Sequence, residues 1–167
     1  ISIVYITLTI IWAFMLWGAG MSIFDSIAHA MTTLATGGYS TKSESLAAFN
    51  SSTIEIIIIF GMLVGSLPFV HYLTLTKKGI KNLLKDDQVK LFLTLVFFVV
   101  LTMSLYLSAN KIPYFEALRL ASFNVISIIT GTGFGTSDFN NWGGVPTTIL
   151  LILMFVGGCA GATTCGL

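Results

Sequence analysis

Four stretches of this chain, residues 1–24, 56–76, 91–110 and 139–167, contain no Asp, Glu, Lys or Arg. Each reaches the roughly 20 apolar residues that cross a hydrocarbon core, and His71 is the one histidine within them. Charged residues make up 9 % of the whole and hydrophobic ones 55 %, against about 25 % charged in an ordinary soluble domain. The chain is therefore read as an all-α membrane protein. A cleaved signal peptide accounts for one such run but not for four, and no basic region precedes Ile1. The chain begins without Met inside an apolar run and stops within a Gly-rich motif. It is expected to be an excerpt from a longer polypeptide.

Between these spans lies a duplication. The run MTTLATGGYS at 31–40 has a second copy, ISIITGTGFG, at 126–135, so that at a fixed offset of 95 Gly38 falls on Gly133, Tyr39 on Phe134 and Thr41 on Thr136. Each copy follows a helical stretch too short for a full span, 22–35 and 114–129, which suits a half-helix that enters and leaves the bilayer on one side. Full spans are expected at 1–17, 54–75, 91–108 and from Thr147 onward. The organisation is thus two repeats of span, half-helix, loop and span, at 1–76 and 91–167, joined by a connection at 77–90. Internal duplication of this kind outranks any single motif.

Basic residues set the orientation. Lys77, Lys78, Lys81, Lys85 and Lys90 crowd the connection, whereas the opposite loops carry Lys42 and Lys111. Positive-inside bias counts Lys and Arg in short loops, so the Lys-rich connection is cytoplasmic and both half-helices dip in from outside. The lysines lack interleaved aromatics and are diluted by Asp86 and Asp87, which argues against a nucleic-acid surface.

Thr/Gly loops at membrane depth suit a cation pathway. Irregular backbone is tolerated there only when buried by protein or lining a wet cavity, and carbonyl oxygens around an axis can replace an alkali cation's hydration shell without fixed charge. Glycine permits the backbone angles this needs. Thr36, Thr130 and Thr132 can add hydroxyls, Tyr39 and Phe134 are expected to pack behind the loops, and a half-helix ending at each loop contributes partial negative charge. Toward the end of the chain, GGCAGATTCG at 157–166 holds four glycines and two threonines. The last span should unwind near Gly157, each Gly costing roughly 1 kcal/mol against Ala in a helix.

The runs GMSIFDSIAHAMTTLATGGYST and FNVISIITGTGFGTSDF, with GSLPF at 65–69 and the terminal GGCAGATTCG, occur in an order that resembles the TrkH-type potassium uptake proteins of the wider Trk, Ktr and HKT superfamily. The resemblance covers essentially the whole chain. It implies four repeats around one pseudo-tetrameric, potassium-channel-like pore, of which this chain holds the second and third. It places Gly38 and Gly133 at the key filter glycine, with Ala35, Thr36 and Gly37 and Thr130, Gly131 and Thr132 lining deeper potassium sites. It also implies an intramembrane gate in the broken last span, at Gly157, Gly158, Gly161, Thr163, Thr164 and Gly166. Further implications are a bacterial inner-membrane location, a homodimer, and a cytosolic nucleotide-binding regulatory subunit. No cofactor is expected beyond the transported potassium.

The remaining polar residues have plainer readings. Asp25 should cap the first half-helix. Arg119, mid half-helix, must find carbonyls or a carboxylate such as Glu116 or Asp138 and is read as a clamp on the filter backbone. His29 reads as a packed, hydrogen-bonded residue, His71 as an interfacial anchor, Glu44 and Glu55 as solvated. Trp12, Trp17 and Trp142 read as packing or interfacial anchors, and Cys159 and Cys165 as small buried residues. GTGFGT lacks the strand and the later acid of a dinucleotide site, and no nucleophile–base pair or carboxylate dyad is visible, so no enzyme is expected. A sodium-coupled secondary transporter is the rival reading, since broken helices in paired repeats also describe that class; it calls for inverted repeats, and these run parallel.

Overall fold

A computed structural model describes residues 2–72, 86–137 and 142–164. Among them the ordered elements are helical: α1 (Ser2–Gly18), α2 (Ile23–Leu34), a short 3-10 turn (Ser45–Phe49), α3 (Ser52–Gly65), α4 (Asp87–Ala109), α5 (Tyr114–Ile129) and α6 (Gly144–Leu153). Lys77, Lys78, Lys81, Lys85, Asp138, Cys165 and Gly166 lie outside the described residues.

The caps follow from local chemistry. Ser22 accepts a hydrogen bond from the Asp25 backbone N–H at the start of α2, which satisfies one of the orphan amides of that terminus, and its hydroxyl donates to the Asp25 carboxylate at 2.8 Å. Ser51 and Asp86 each accept from a first-turn backbone N–H of α3 and α4. Helix α4, with 23 residues and a mean hydropathy of 2.3 in its most apolar window, is the one described helix long and apolar enough to cross a membrane.

Two expected spans differ from the sequence reading. The span expected over 54–75 is interrupted: α3 ends at Gly65, helix resumes at residues 69–72, and residues 73–75 lie outside the described ones. Pro68 explains the break, because it disfavours helical backbone at Leu67 and cannot donate to the ladder. The span expected from Thr147 begins earlier, at Gly144, and ends at Leu153, four residues before the first glycine of the Gly-rich run.

Helix α1 packs on α2 and α3, α2 on α3, and α4 on α5, while α5 also contacts α3 and α6. The α3–α5 contact joins the two halves. Large apolar residues are exposed and polar ones buried more than in a soluble domain: Ser26, His29, Thr33, Ser104, Asn124 and Ser127 are buried within a mainly apolar core, while Ile3, Phe14, Phe24, Phe97, Leu105 and Phe155 are exposed. Water-facing surfaces rarely carry apolar patches on this scale; a hydrocarbon surround tolerates them. Gly61 marks the tightest crossing. A Cβ there would lie 2.4 Å from Trp12 Nε1 and 2.6 Å from Thr33 Cγ2, so only glycine lets α1, α2 and α3 meet, with the Trp12 indole donating to Ile57 O at 3.0 Å.

Candidate functional site

Helices α2 and α5 each run directly into one copy of the duplicated loop. The cap amides of Ala35 and Thr130 donate to Met31 O and Ile126 O, both at 3.0 Å. Beyond them Thr36 and Gly38 have φ of 50° and 65°, and Gly131 and Gly133 have 68° and 84°, while Gly37 and Thr132 between them stay outside the left-handed region. Alternation of this kind lets successive peptide groups present the same side. Thr36 adopts it despite its β-branched side chain, where glycine stands at the matching position of the second loop.

The anchoring is duplicated as well. Thr32 Oγ1 donates to Tyr39 O at 2.9 Å and Ser127 Oγ to Phe134 O at 2.7 Å, a matched pair at offset 95. One turn earlier, His29 bonds Asp25 O at 2.7 Å and Ser40 Oγ at 2.9 Å. At the matching position Asn124 donates to Leu120 O at 2.9 Å and toward Ser137 Oγ at 3.3 Å. His29 is packed and hydrogen-bonded as its sequence reading has it; the other three anchors escape that reading, although the offset that aligns the glycines also pairs Thr32 with Ser127 and His29 with Asn124.

The fold brings the two loops together. A Cβ on Gly38 would lie 1.8 Å from Thr132 O and 3.2 Å from Gly133 C, so the main chains touch there. Around Gly131 and Gly133 the corresponding space is open. Gly135 O accepts from Leu46 N–H at 3.2 Å, and Gly135 N–H donates to Ser45 Oγ at 3.2 Å, which ties the exit of the second loop to the 3-10 turn of the first half. Phe134 packs as expected, 3 % exposed. Tyr39 does not: it is 78 % exposed, its ring lying over Gly37, with no described element on its outer side to cover it.

The loop hydroxyls are internally committed. Thr36 Oγ1 donates to Ala35 O at 2.8 Å, and Thr130 and Thr132 bond each other at 2.7 Å. Beneath the loops, Ala35, Thr36, Ile129, Thr130 and Gly131 share a cavity of about 220 Å³ with Met154, Gly157, Thr163 and Thr164. Thr164 Oγ1 is buried with no hydrogen-bond partner among the described residues, an arrangement that costs about 1–3 kcal/mol unless something polar visits it.

The Gly-rich run forms the cavity's other wall. It leaves helical conformation with φ of 71° at Gly157 and 80° at Gly161 and is stitched to the broken end of α3. Cys159 N–H donates to Ser66 O and Thr163 N–H to Gly65 O, each at 3.2 Å, and Phe69 N–H donates to Gly161 O at 3.1 Å. Thr163 Oγ1 lies 2.9 Å from both Leu34 O and Gly65 O, so it reaches the last carbonyl of α2. Gly158 backs onto Thr164, whose Oγ1 would be 2.2 Å from an added Cβ. The carbonyls freed by the break at Pro68 thus find their donors in the other half.

Arg119 has a partner other than those expected. Its Nη1 lies 2.8 Å from both carboxylate oxygens of Glu55; Glu116 is not that partner. Glu55 is not solvated but 6 % exposed, in the first turn of α3 where the helix dipole also favours a carboxylate. The buried carboxylate needs a cation beside it, and the α3–α5 crossing brings the half-buried Arg119 to it across the two halves. Asp25 does not itself cap α2, a role that falls to Ser22; it sits in the first turn, where the helix dipole favours a carboxylate, and accepts from the Ser22 hydroxyl and from the Thr41 hydroxyl just past the first loop. His71 donates from Nε2 to Asp86 at 2.7 Å, which holds the Asp86 carboxyl below its ordinary range, with the Gln88 N–H adding to the effect.

The whole chain, residues 1–167, matches the family model described as TrkH, cation transport protein. It is 35 % identical over 166 residues to the Trk system potassium uptake protein TrkI of Halomonas elongata, covering 98 % of this chain and 34 % of that one. It is 35 % identical to the Trk system potassium uptake protein TrkH of Escherichia coli, covering 99 % of this chain and 35 % of that one. The crystal structure of the potassium transporter TrkH from Vibrio parahaemolyticus superposes with a TM-score of 0.93 at 32 % identity, over 99 % of this chain and 36 % of that one. The chain spans about a third of the length of these relatives.

Proposed function

The chain belongs to the TrkH family of cation transport proteins, and from that premise we propose that it supplies half of a potassium-selective filter in a multi-pass membrane uptake protein. Residues 1–76 and 91–167 act as two parallel pore repeats, α2 and α5 as their pore helices, and Ala35, Thr36, Gly37 and Gly38 with Thr130, Gly131, Thr132 and Gly133 as the ion-facing backbone. Two further repeats of the same polypeptide complete the ring. The observation that carries this reading is the main-chain contact of the loops at Gly38 and Thr132, with alternating left-handed residues on both sides of it. Side-chain packing alone gives no reason for two duplicated irregular loops to meet backbone to backbone in an apolar shell.

Conduction in this scheme is exchange of hydration oxygens for carbonyl oxygens, with no covalent step. Both half-helices point their C-terminal ends at the loops, which favours cations over anions. Below the filter, the 220 Å³ cavity with the unpartnered Thr164 hydroxyl suits a partly hydrated cation. Gly157, Thr163 and Thr164 line that cavity, and the stretch they belong to, with Gly158, Gly161 and Gly166, serves as the gate. Thr163 is its latch to the filter, through Leu34 O. The Lys77 to Lys90 connection faces the cytoplasm of a bacterial inner membrane and the filter mouth faces outward; a homodimer with a cytosolic nucleotide-binding regulatory subunit completes the assembly.

The test is ion uptake by the full-length protein reconstituted in lipid vesicles. Potassium should enter and saturate while equimolar sodium competes poorly. Equal uptake of the two cations, or uptake that requires a sodium gradient, overturns the proposal; the second result favours the sodium-coupled transporter.

A further inference from the structure

We propose that His29 is a positioning residue for the filter, one that fixes the outer ends of both loops against each other and so sets discrimination between potassium and sodium. The inference rests on the filter reading above and deepens it. His29 is fully buried in α2, beside the loops but not on their ion-facing backbone, and each of its edges is spoken for.

The hydrogen-bond directions follow from the partners. Asp25 O can only accept, so Nδ1 carries the proton at 2.7 Å from it. In the neutral ring Nε2 is then an acceptor, and the Ser40 hydroxyl donates to it at 2.9 Å. The same Ser40 oxygen accepts from Lys42 N–H at 3.1 Å, so the residue that leaves the first loop is held from two directions. The imidazole face stacks on Phe134 of the second loop, with ring centres 5.9 Å apart and planes 25° apart, and Phe49 abuts its edge at 5.3 Å. The Phe134 carbonyl is held in turn by Ser127 Oγ. One unbroken path therefore runs from Ser40 through the imidazole and Phe134 to α5.

The second half provides an internal comparison. Asn124 makes the matching bonds to the preceding helical turn and to a hydroxyl past its loop, but it offers no flat ring. Anchoring a loop to its own half-helix thus requires only an amide. Linking the two loops requires an aromatic ring that also bonds, and His29 combines the two. A residue that only filled core volume would need neither Ser40 nor a stacked face.

Three substitutions in the full-length protein separate these roles. Glutamine can place its amide oxygen where Nε2 accepts from Ser40, asparagine can place its amide nitrogen where Nδ1 donates to Asp25 O, and leucine fills the volume with neither. In vesicle uptake of potassium against sodium, His29→Gln, which restores the bond to Ser40 without the stacked ring, should lower the selectivity ratio by only about two- to threefold. His29→Asn and His29→Leu should lower it about fivefold or more, the equivalent of one net hydrogen bond. Ser40→Ala leaves the helix untouched and should lower it similarly, which keeps the test decisive if His29→Leu fails to accumulate. Wild-type selectivity in His29→Leu or in Ser40→Ala overturns the inference, as does equal loss in His29→Gln and His29→Leu. A wild-type protein with no potassium preference overturns the filter reading instead, so the two failures are distinguishable.

Discussion

Alanine at Gly38 and alanine at Gly133 are the same chemical change at matched positions, yet the structure predicts unequal consequences. Both glycines sit at left-handed φ, 65° and 84°, where an L residue costs roughly 1–2 kcal/mol. For Gly133→Ala that strain is the whole cost, because nothing lies within 4 Å of the added Cβ. If the strain falls entirely on the selective conformation, preference for potassium drops about 5- to 30-fold. At Gly38 the new Cβ lands 1.8 Å from Thr132 O, whereas ordinary contact begins at 3.4 Å. Subtracting, 3.4 − 1.8 gives a retreat of 1.6 Å along that line, and the atom that must retreat is a backbone oxygen of the opposite loop. Misplacement on the order of 1 Å in a preorganised site costs about a hundredfold. Gly38→Ala should therefore abolish discrimination, and Gly133→Ala should only blunt it. The assay is paired potassium and sodium uptake by full-length protein in vesicles, with reconstituted protein level as control. Equal effects in the two variants, or a milder effect at Gly38, would refute the claim that the loops meet backbone to backbone.

Further outcomes follow from the same geometry. Arg119→Gln should destabilise the protein by about 1.5–3 kcal/mol, because it leaves the buried Glu55 carboxylate without its cation; in thermal unfolding, Arg119→Gln combined with Glu55→Gln should recover much of that loss, and additive losses would contradict the pairing. Gly61→Ala should lower the melting temperature by an overpacking cost of about 1–3 kcal/mol through Trp12 and Thr33, an effect that Trp12→Phe partly relieves. Thr163→Val removes the hydroxyl between Leu34 O and Gly65 O and should raise flux without altering selectivity; a changed selectivity with unchanged flux would place Thr163 in the filter rather than the gate. Asp86 has its carboxyl lowered chiefly by the hydrogen bond from His71, so its stabilising contribution is present above the unfolded carboxylate value near 3.9 and fades as pH falls through the lower folded value. Asp86→Asn should flatten that acid limb of an unfolding-versus-pH curve.

How much of this was legible beforehand depended on whether the cause was local. Helices α2 and α5 were readable to within a residue, because Ser22 with Asp25 at one end and the Thr/Gly run at the other are short-range signals. The end of α3 was missed although Pro68 was in view, because apolar composition outvoted a single breaker. The break is affordable only because Cys159 and Thr163, far along the chain, supply donors to its free carbonyls. Glu55 was misread for a related reason: hydropathy treats an acid near a span end as wet, and only the α3–α5 crossing brings it to Arg119. Tyr39 and Phe134 looked equivalent in sequence and differ in burial because one faces the other half and its counterpart does not.

Those long-range pairings have a common direction, and that bears on how the proposed filter of neutral carbonyls would be held rigid. A loop held only by its own half-helix could still slide against its neighbour. Here Arg119 with Glu55, Ser45 with Gly135, His29 with Phe134, and Thr163 with Leu34 and Gly65 all cross from one half to the other. They do so at different depths: at the α3–α5 contact, beside the loops and beneath them. In a medium that offers no competing hydrogen bonds, an unmet buried polar group is costly, so each of these links is satisfied fully only when the halves are in register. Apolar packing, by contrast, tolerates small slips with gradual loss. These polar links between the halves therefore give the loop contact at Gly38 and Thr132 one well-defined spacing, the condition that the proposed discrimination by backbone oxygens would require.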